Sequence, residues 1–127
     1  MAKNLSDAKP IKRYEDLLVY QKSYQLALEA HRLTLTFPDF ERFELGRQLR
    51  TSASSIAVNI AEGFSRRSSS ADFKRFLAMA SGSCGEVKVW LSLAKDLGYL
   101  PEERAGELIE RFDEVGRMLH GLHRNWR

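Results

Sequence analysis

Apolar residues recur at alternating intervals of four and three positions through most of the chain from residue 14 onward. The first segment carries such a run: Leu17, Gln21, Tyr24, Leu28, His31 and Leu35. The last segment repeats it: Leu108, Phe112, Val115, Leu119, Leu122 and Trp126. This period marks one face of an α-helix, and no strand-type alternation competes with it. The sequence therefore predicts an all-α fold.

Local signals divide this pattern into four helices. Pro38 ends the first helix, because proline disfavours a helical residue before it. Ser69 and Asp72 have the capping-box spacing, and Pro101 fits the first position of the last helix. We expect helices over residues 14–36, 43–64, 70–97 and 101–126. Short connections predict an up-down-up-down antiparallel four-helix bundle as one domain, residues 14–127, preceded by a flexible basic arm, residues 1–13.

Composition excludes several classes of protein. The 127 residues suit one domain, and no apolar run approaches the length of a membrane helix. We expect a cytoplasmic protein without membrane association, metal, cofactor or catalytic residues, because no triad, metal cluster or phosphate loop is visible. Cys84, the single cysteine, is expected to be a buried small residue, and His31 to be a core or interface histidine.

Basic residues concentrate in one part of the chain, although the net charge is only +3. Residues 45–75 hold six bases against Glu62 and Asp72: Arg47, Arg50, Arg66, Arg67, Lys74 and Arg75. These six, together with the basic arm, are the candidates for contact with nucleic-acid phosphates, since a guanidinium group donates bidentately to phosphate. We expect two clusters, with Arg47 and Arg50 distant from the other four. Arginines that are merely solvated are the alternative.

The second helix carries no charge from residue 51 to 61, and the third carries none from 77 to 85. A bundle helix normally keeps a charged outer face. Two explanations stay open: tight packing within one subunit, or a subunit interface, which we favour. The residues concerned are Gln48, Ser52, Ser55, Asn59, Glu62, Gly63, Gly82, Ser83 and Glu86.

The register of this hairpin can also be predicted. With a turn near residue 67, facing residue numbers sum to about 134, which places Gln48 near Glu86. We expect Asn59 and Glu62 to orient the hairpin and its neighbours through buried hydrogen bonds.

Several of these motifs resemble one bacterial family. They are Gln48-Leu49-Arg50, Ser55-Ile56, Asn59-Ile60-Ala61-Glu62-Gly63, and Ala80-Ser81-Gly82-Ser83 with Glu86. Tyr14-Glu15-Asp16-Leu17, Val19-Tyr20-Gln21-Lys22, Phe37-Pro38 and Leu97-Gly98-Tyr99-Leu100 agree as well. Together they are similar to the four-helix bundle protein family, also called the 23S rRNA intervening-sequence proteins. The chain departs at Tyr20, where the family usually has Trp, at Thr51, where a second Arg often follows, and at Cys84-Gly85, which replace a more apolar pair.

The resemblance implies a ring, typically of five subunits, and no catalytic residues. Related bundles are accessory subunits of diversity-generating retroelements and help to bind nucleic acid. The expected function is therefore a non-enzymatic, ring-forming bundle that binds RNA or DNA without sequence preference. The alternative is a structural adaptor that docks a protein partner.

Overall fold

A computed structural model describes residues 10–127, and this part of the chain forms an all-helical bundle. Within these described residues, a 3-10 turn, Tyr14–Asp16, precedes five α-helices. They are α1 (Leu18–Thr34), α2 (Asp39–Arg42), α3 (Leu45–Ser65), α4 (Ser70–Asp96) and α5 (Glu102–Asn125). The four long helices run alternately up and down, which confirms the predicted bundle. Of the predicted basic arm, residues 1–9 lie outside the described residues.

The helix limits follow from local signals. The Ser69 side chain accepts a hydrogen bond from the Asp72 amide at 3.1 Å, as the capping spacing predicted. Gly98, just after α4, has φ of +85°, a conformation that favours glycine. Pro101 precedes α5 as its N-cap rather than occupying its first position. The predicted turn at residues 38–42 contains the short helix α2.

The prediction for the first helix was wrong in its start and in its core face. Leu17 is extended, with ψ of 126°, and separates the 3-10 turn from α1. The buried face of α1 is Val19, Ser23, Leu26, Ala30 and Thr34. Tyr24, Leu35 and His31 are exposed. Because the extended residue breaks the period, a phase taken from Leu17 does not continue into α1.

Two polar side chains lie in the buried face of α1. Ser23 and Thr34 are fully buried, and their hydroxyl groups donate to the carbonyls of Val19 and His31 at 2.7 and 2.9 Å. Because each buried hydroxyl keeps a hydrogen bond within its own helix, that bond offsets the free-energy cost of removing the hydroxyl from water.

The order of the helices around the bundle decides which surfaces are free. α3 packs most extensively on α4, α4 on α5, and α1 on α3, while the α1–α5 contact is the least extensive of the four. Ion pairs join α1 and α5 there: Lys22 with Glu114, and Glu29 with Arg104 and Arg111. α1 and α4 are therefore diagonal to one another.

Candidate nucleic-acid interface

The α3–α4 loop and the helix ends beside it hold four of the six candidate cations. Arg66 and Arg67 follow α3, and Lys74 and Arg75 lie in the second turn of α4. Arg67 Nη1 donates to the Phe64 carbonyl at 2.9 Å, which satisfies an acceptor at the end of α3. We call Arg66, Arg67, Lys74 and Arg75 the loop group, and the structure places it at one end of the bundle.

Aromatic rings support the guanidinium groups of the loop group. The Arg67 guanidinium carbon lies 4.0 Å from the Phe64 ring centroid. Two guanidinium carbons lie over the Phe76 ring, that of Arg75 at 4.6 Å and that of Arg66 at 5.4 Å from the ring centroid. A guanidinium group that stacks on a ring keeps its N–H edge free to donate in the ring plane. Three of the four cations are thus held in place with donors still available.

Two acids oppose this charge only weakly. Arg66 Nε lies 3.0 Å from a Glu62 carboxylate oxygen, and Arg75 lies 3.9 Å from Asp72. The side chains of both arginines are about half exposed, 49% and 58%. Exposed pairs of this kind contribute little and are exchanged readily for another anion.

Arg50 has a different environment. Its Nη1 donates to Thr34 Oγ1 and its Nη2 to the Arg42 carbonyl, both at 2.9 Å. These bonds tie the start of α3 to the end of α1 and to α2, at the opposite end of the bundle from the loop group. Arg47 is exposed in the first turn of α3. The candidate cations therefore form two separate groups, and Arg50 has a structural role as well.

The antiparallel topology adds Arg124 and Arg127, which the sequence did not indicate, and brings Lys12 and Arg13 of the basic arm to the same end. The Trp126 ring lies 4.6 Å from the Phe73 ring, so the C-terminal end of α5 meets the start of α4. Tyr14 shares a groove with Glu62 and Ser65, so the start of the chain's described part reaches the same end. The basic end consists of the loop group plus Lys12, Arg13, Arg124 and Arg127. The nearby acids are Glu15, Asp16, Glu62 and Asp72, half as many as the bases.

The family-motif residues of the α3–α4 hairpin have different environments. The hydroxyl groups of Ser55 and Ser83 share a hydrogen bond across the hairpin. Ser52 is buried and donates to the Gln48 carbonyl within α3. Gly63 has no room for a side chain, because a Cβ there would lie 2.7 Å from Phe76 Cβ.

Within the subunit, the prediction for Asn59 and Glu62 was wrong. Asn59 Nδ2 donates to the Ser55 carbonyl, four residues back on its own helix, at 2.8 Å. Glu62 is exposed and pairs with Arg66. Neither residue bonds across the hairpin, because both lie on the outer half of α3. The predicted register was also wrong. The residue numbers of Ser55 and Ser83 sum to 138 and not to about 134, so Gln48 is level with Trp90 and not with Glu86.

Two outer surfaces carry little charge. The first is an open groove between α1 and α3, which we call the α1–α3 groove. It is lined by Tyr14, Tyr20, Tyr24, Ala27, His31, Arg50, Thr51, Ser54, Ser55, Ala57, Val58, Ala61, Glu62 and Ser65. Its two parts have volumes of about 490 and 450 Å³ and share Ser54 and Val58.

The second surface is the outer face of α4. Between residues 79 and 97, six of its exposed residues recur every three or four positions: Met79, Gly82, Glu86, Val89, Leu93 and Leu97. Val89 is 60% exposed and Met79 46%. We call this set the α4 stripe, and Glu86 is its single charged member. The α4 stripe has no separate signal in the sequence, because its residues recur with the same helical period as the core face of α4.

Other chemistry-bearing groups do not form a site in the described residues. Cys84 is buried, and burial raises the pKa of its thiol to about 12, which favours the neutral form. His31 is exposed, so its interpretation as a core residue was wrong for the single subunit. Between residues 10 and 127, no three histidine, cysteine or acidic side chains cluster as metal ligands would. Nor does any described helix combine the length and apolar character that crossing a bilayer requires.

Comparison with known proteins identifies a family and solved structures of similar fold. The family model described as 23S rRNA-intervening sequence protein matches residues 15–121. A crystal structure of a protein with unknown function from the S23 ribosomal protein family of Bacteroides thetaiotaomicron is 25% identical in sequence, with a TM-score of 0.78. The match covers 85% of this chain and 100% of that one. No curated protein matches the chain.

Proposed function

Because this chain belongs to the 23S rRNA-intervening sequence protein family, we propose that it is a non-enzymatic bundle that assembles into a ring and binds RNA or DNA. Binding is through backbone phosphates and is independent of base sequence. The observation that carries this proposal is the basic end, where four separate parts of the chain bring their cations together. The family resemblance suggests five subunits in the ring.

Charge and geometry at the basic end fit phosphate better than they fit a carboxylate partner within the subunit. Eight bases face four acids there, whereas the opposite end has bases and acids in nearly equal number. Arg66, Arg67 and Arg75 are also held against aromatic rings. A positioned guanidinium loses less side-chain entropy when it binds an anion. No base-reading motif accompanies these residues, so the contact is with the backbone.

Assembly supports the proposal in two ways. The α1–α3 groove and the α4 stripe are too poorly charged to be ordinary solvent-facing helix surfaces. In a cyclic ring with parallel bundles, the basic ends of all subunits lie on one face. Repeated weak phosphate contacts along one strand then combine through effective concentration.

An adaptor function is the second candidate, and one apolar patch favours it. Phe40 is 71% exposed, Phe43 68% and Leu35 64%, all at the end opposite the basic end. Large apolar side chains that cluster on a surface typically mark a protein contact. This patch could dock a partner protein whether or not the basic end binds nucleic acid.

A salt titration tests the nucleic-acid function. Fluorescence anisotropy of a labelled single-stranded RNA, and of a duplex DNA, would be measured between about 50 and 200 mM salt. We expect log affinity to fall linearly with log salt, by about 0.7–0.9 for each phosphate contact. A peptide nucleic acid of the same base sequence is the matched control, because it lacks phosphates and should not bind. Absence of RNA and DNA binding at low salt, or equal binding of the control, would favour the adaptor function.

A further inference from the structure

We infer that the ring contact joins two different surfaces: the α4 stripe of one copy lies in the α1–α3 groove of the next, with Glu86 beside Arg50 and His31. This inference rests on the self-assembly part of the proposed function and names its partner surface. The occupant of the groove is thus a second copy of this chain.

The position of the two surfaces requires a head-to-tail contact. α1 and α4 are diagonal in the bundle, so the groove and the stripe face in different directions. Two unlike patches on different sides of one subunit cannot both be buried by a two-fold contact between them. They are both buried when each copy is related to the next by the same rotation, which closes a ring.

The chemistry of the groove selects this occupant. The part around Val58 is lined by tyrosine, alanine and serine side chains, with Glu62 as its charged member. Such a surface offers a polyanion no positive charge to pair with. The α4 stripe offers methionine, valine and leucine side chains, and Gly82, between Met79 and Glu86, allows close approach.

At one level along the bundle, the charges of the α4 stripe and of the α1–α3 groove are complementary. Ser55 and Ser83 fix the levels of α3 and α4, so that Glu86 is level with residue 52 and Met79 with residue 59. The groove near residue 52 is lined by Arg50 and His31. Rotation about an axis parallel to the bundle keeps each residue at its level. The single charge of the stripe therefore meets the cationic part of the groove, and Met79 meets Val58.

Cysteine cross-linking tests this geometry. The variant Val58→Cys/Met79→Cys carries one thiol in each surface, and the native Cys84 is buried and does not compete. A short bismaleimide should convert it into a ladder of covalent oligomers on a denaturing gel. Each single variant should stay monomeric, because a head-to-tail contact never brings two copies of one position together. Dimers from a single variant would contradict the inference, as would a double variant that stays monomeric although light scattering finds it assembled.

A charge exchange tests the pairing of Glu86. Glu86→Lys should raise the protein concentration needed for assembly by about tenfold or more, because it places like charges together. The second change His31→Glu should reverse most of that effect, and neither position is buried in the subunit, so folding should be kept. An unchanged assembly concentration in Glu86→Lys would overturn the pairing. Both experiments omit nucleic acid, so a failure of RNA binding leaves them unaffected, while a monomeric parent protein would overturn the ring and this contact together.

Discussion

Ser55 of α3 and Ser83 of α4 share a hydroxyl–hydroxyl hydrogen bond across the hairpin that forms the most extensive helix pair of the bundle. Both side chains are half-buried, so the bond replaces water rather than leaving a polar group unpaired. It also fixes the register on which the levels of all outward residues depend.

We expect a measurable coupling between these two hydroxyl groups. Ser55→Ala and Ser83→Ala should each lower the free energy of unfolding by about 0.5–1.5 kcal/mol, and the double variant by less than their sum. Urea unfolding of the four proteins measures the coupling. Strict additivity would show that the two hydroxyl groups do not interact.

Glycine positions on the same helix pair should respond oppositely to alanine. Gly63→Ala should destabilise by about 1–3 kcal/mol, because the added Cβ would lie 2.7 Å from Phe76 Cβ. Gly85→Ala is the matched control: nothing lies within 4 Å of its added Cβ. It should stabilise α4 by up to about 1 kcal/mol through helix propensity. Thermal unfolding that ranks the two variants the other way would contradict this packing.

Glu29 should make the bundle sensitive to acid. Hydrogen bonds from Arg111, and then from Arg104, lower the pKa of Glu29 in spite of its partial burial. Its stabilisation is therefore complete above the unfolded pKa, near 4.3, and is lost as the pH falls through the lower folded value. Glu29→Gln should cost about 1–2 kcal/mol at pH 7. The difference from the parent should shrink below about pH 4, and a difference that is constant with pH would refute the assignment.

The Cys84 thiol should be inert in the native protein. With its pKa raised to about 12 by burial, it carries roughly a thousandfold less thiolate near pH 8 than an exposed cysteine. Ellman's reagent should therefore react slowly with the folded protein and at once after unfolding in urea. Equal rates in the two states would contradict the burial.

The fold could be predicted from periodicity because the helices α3, α4 and α5 keep their phase between clear stop signals. The core face of α1 could not be predicted in this way. The extended Leu17 shifts the phase of the pattern, and the core face of α1 contains small residues such as Ser23 and Ala30. The predicted sum of facing residue numbers, about 134, was four less than the 138 of Ser55 and Ser83. Helical side chains lean toward the N-terminus of their own helix, which adds about one residue on each side of the pair and so accounts for about half of the difference.

The candidate site could be predicted in part. The loop group follows from its position between two helices, and the structure keeps it apart from Arg50, as spacing indicated. The contribution of Arg124 and Arg127 could not be predicted, because their proximity depends on the bundle topology and on the Trp126–Phe73 contact. The internal hydrogen bonds of Arg50 also have no sequence signal, since they join it to residues 16 and 8 positions away.

The most direct test of phosphate binding at the basic end compares two variants with the same change in net charge. Arg66→Glu/Arg75→Glu changes the basic end, and Arg32→Glu/Arg47→Glu changes exposed arginines at the opposite end. For RNA, the slope of log affinity against log salt should fall by about 1.4–1.8 in the first variant and stay unchanged in the second. Equal slopes in both variants, with circular dichroism showing both folded, would contradict binding at the basic end.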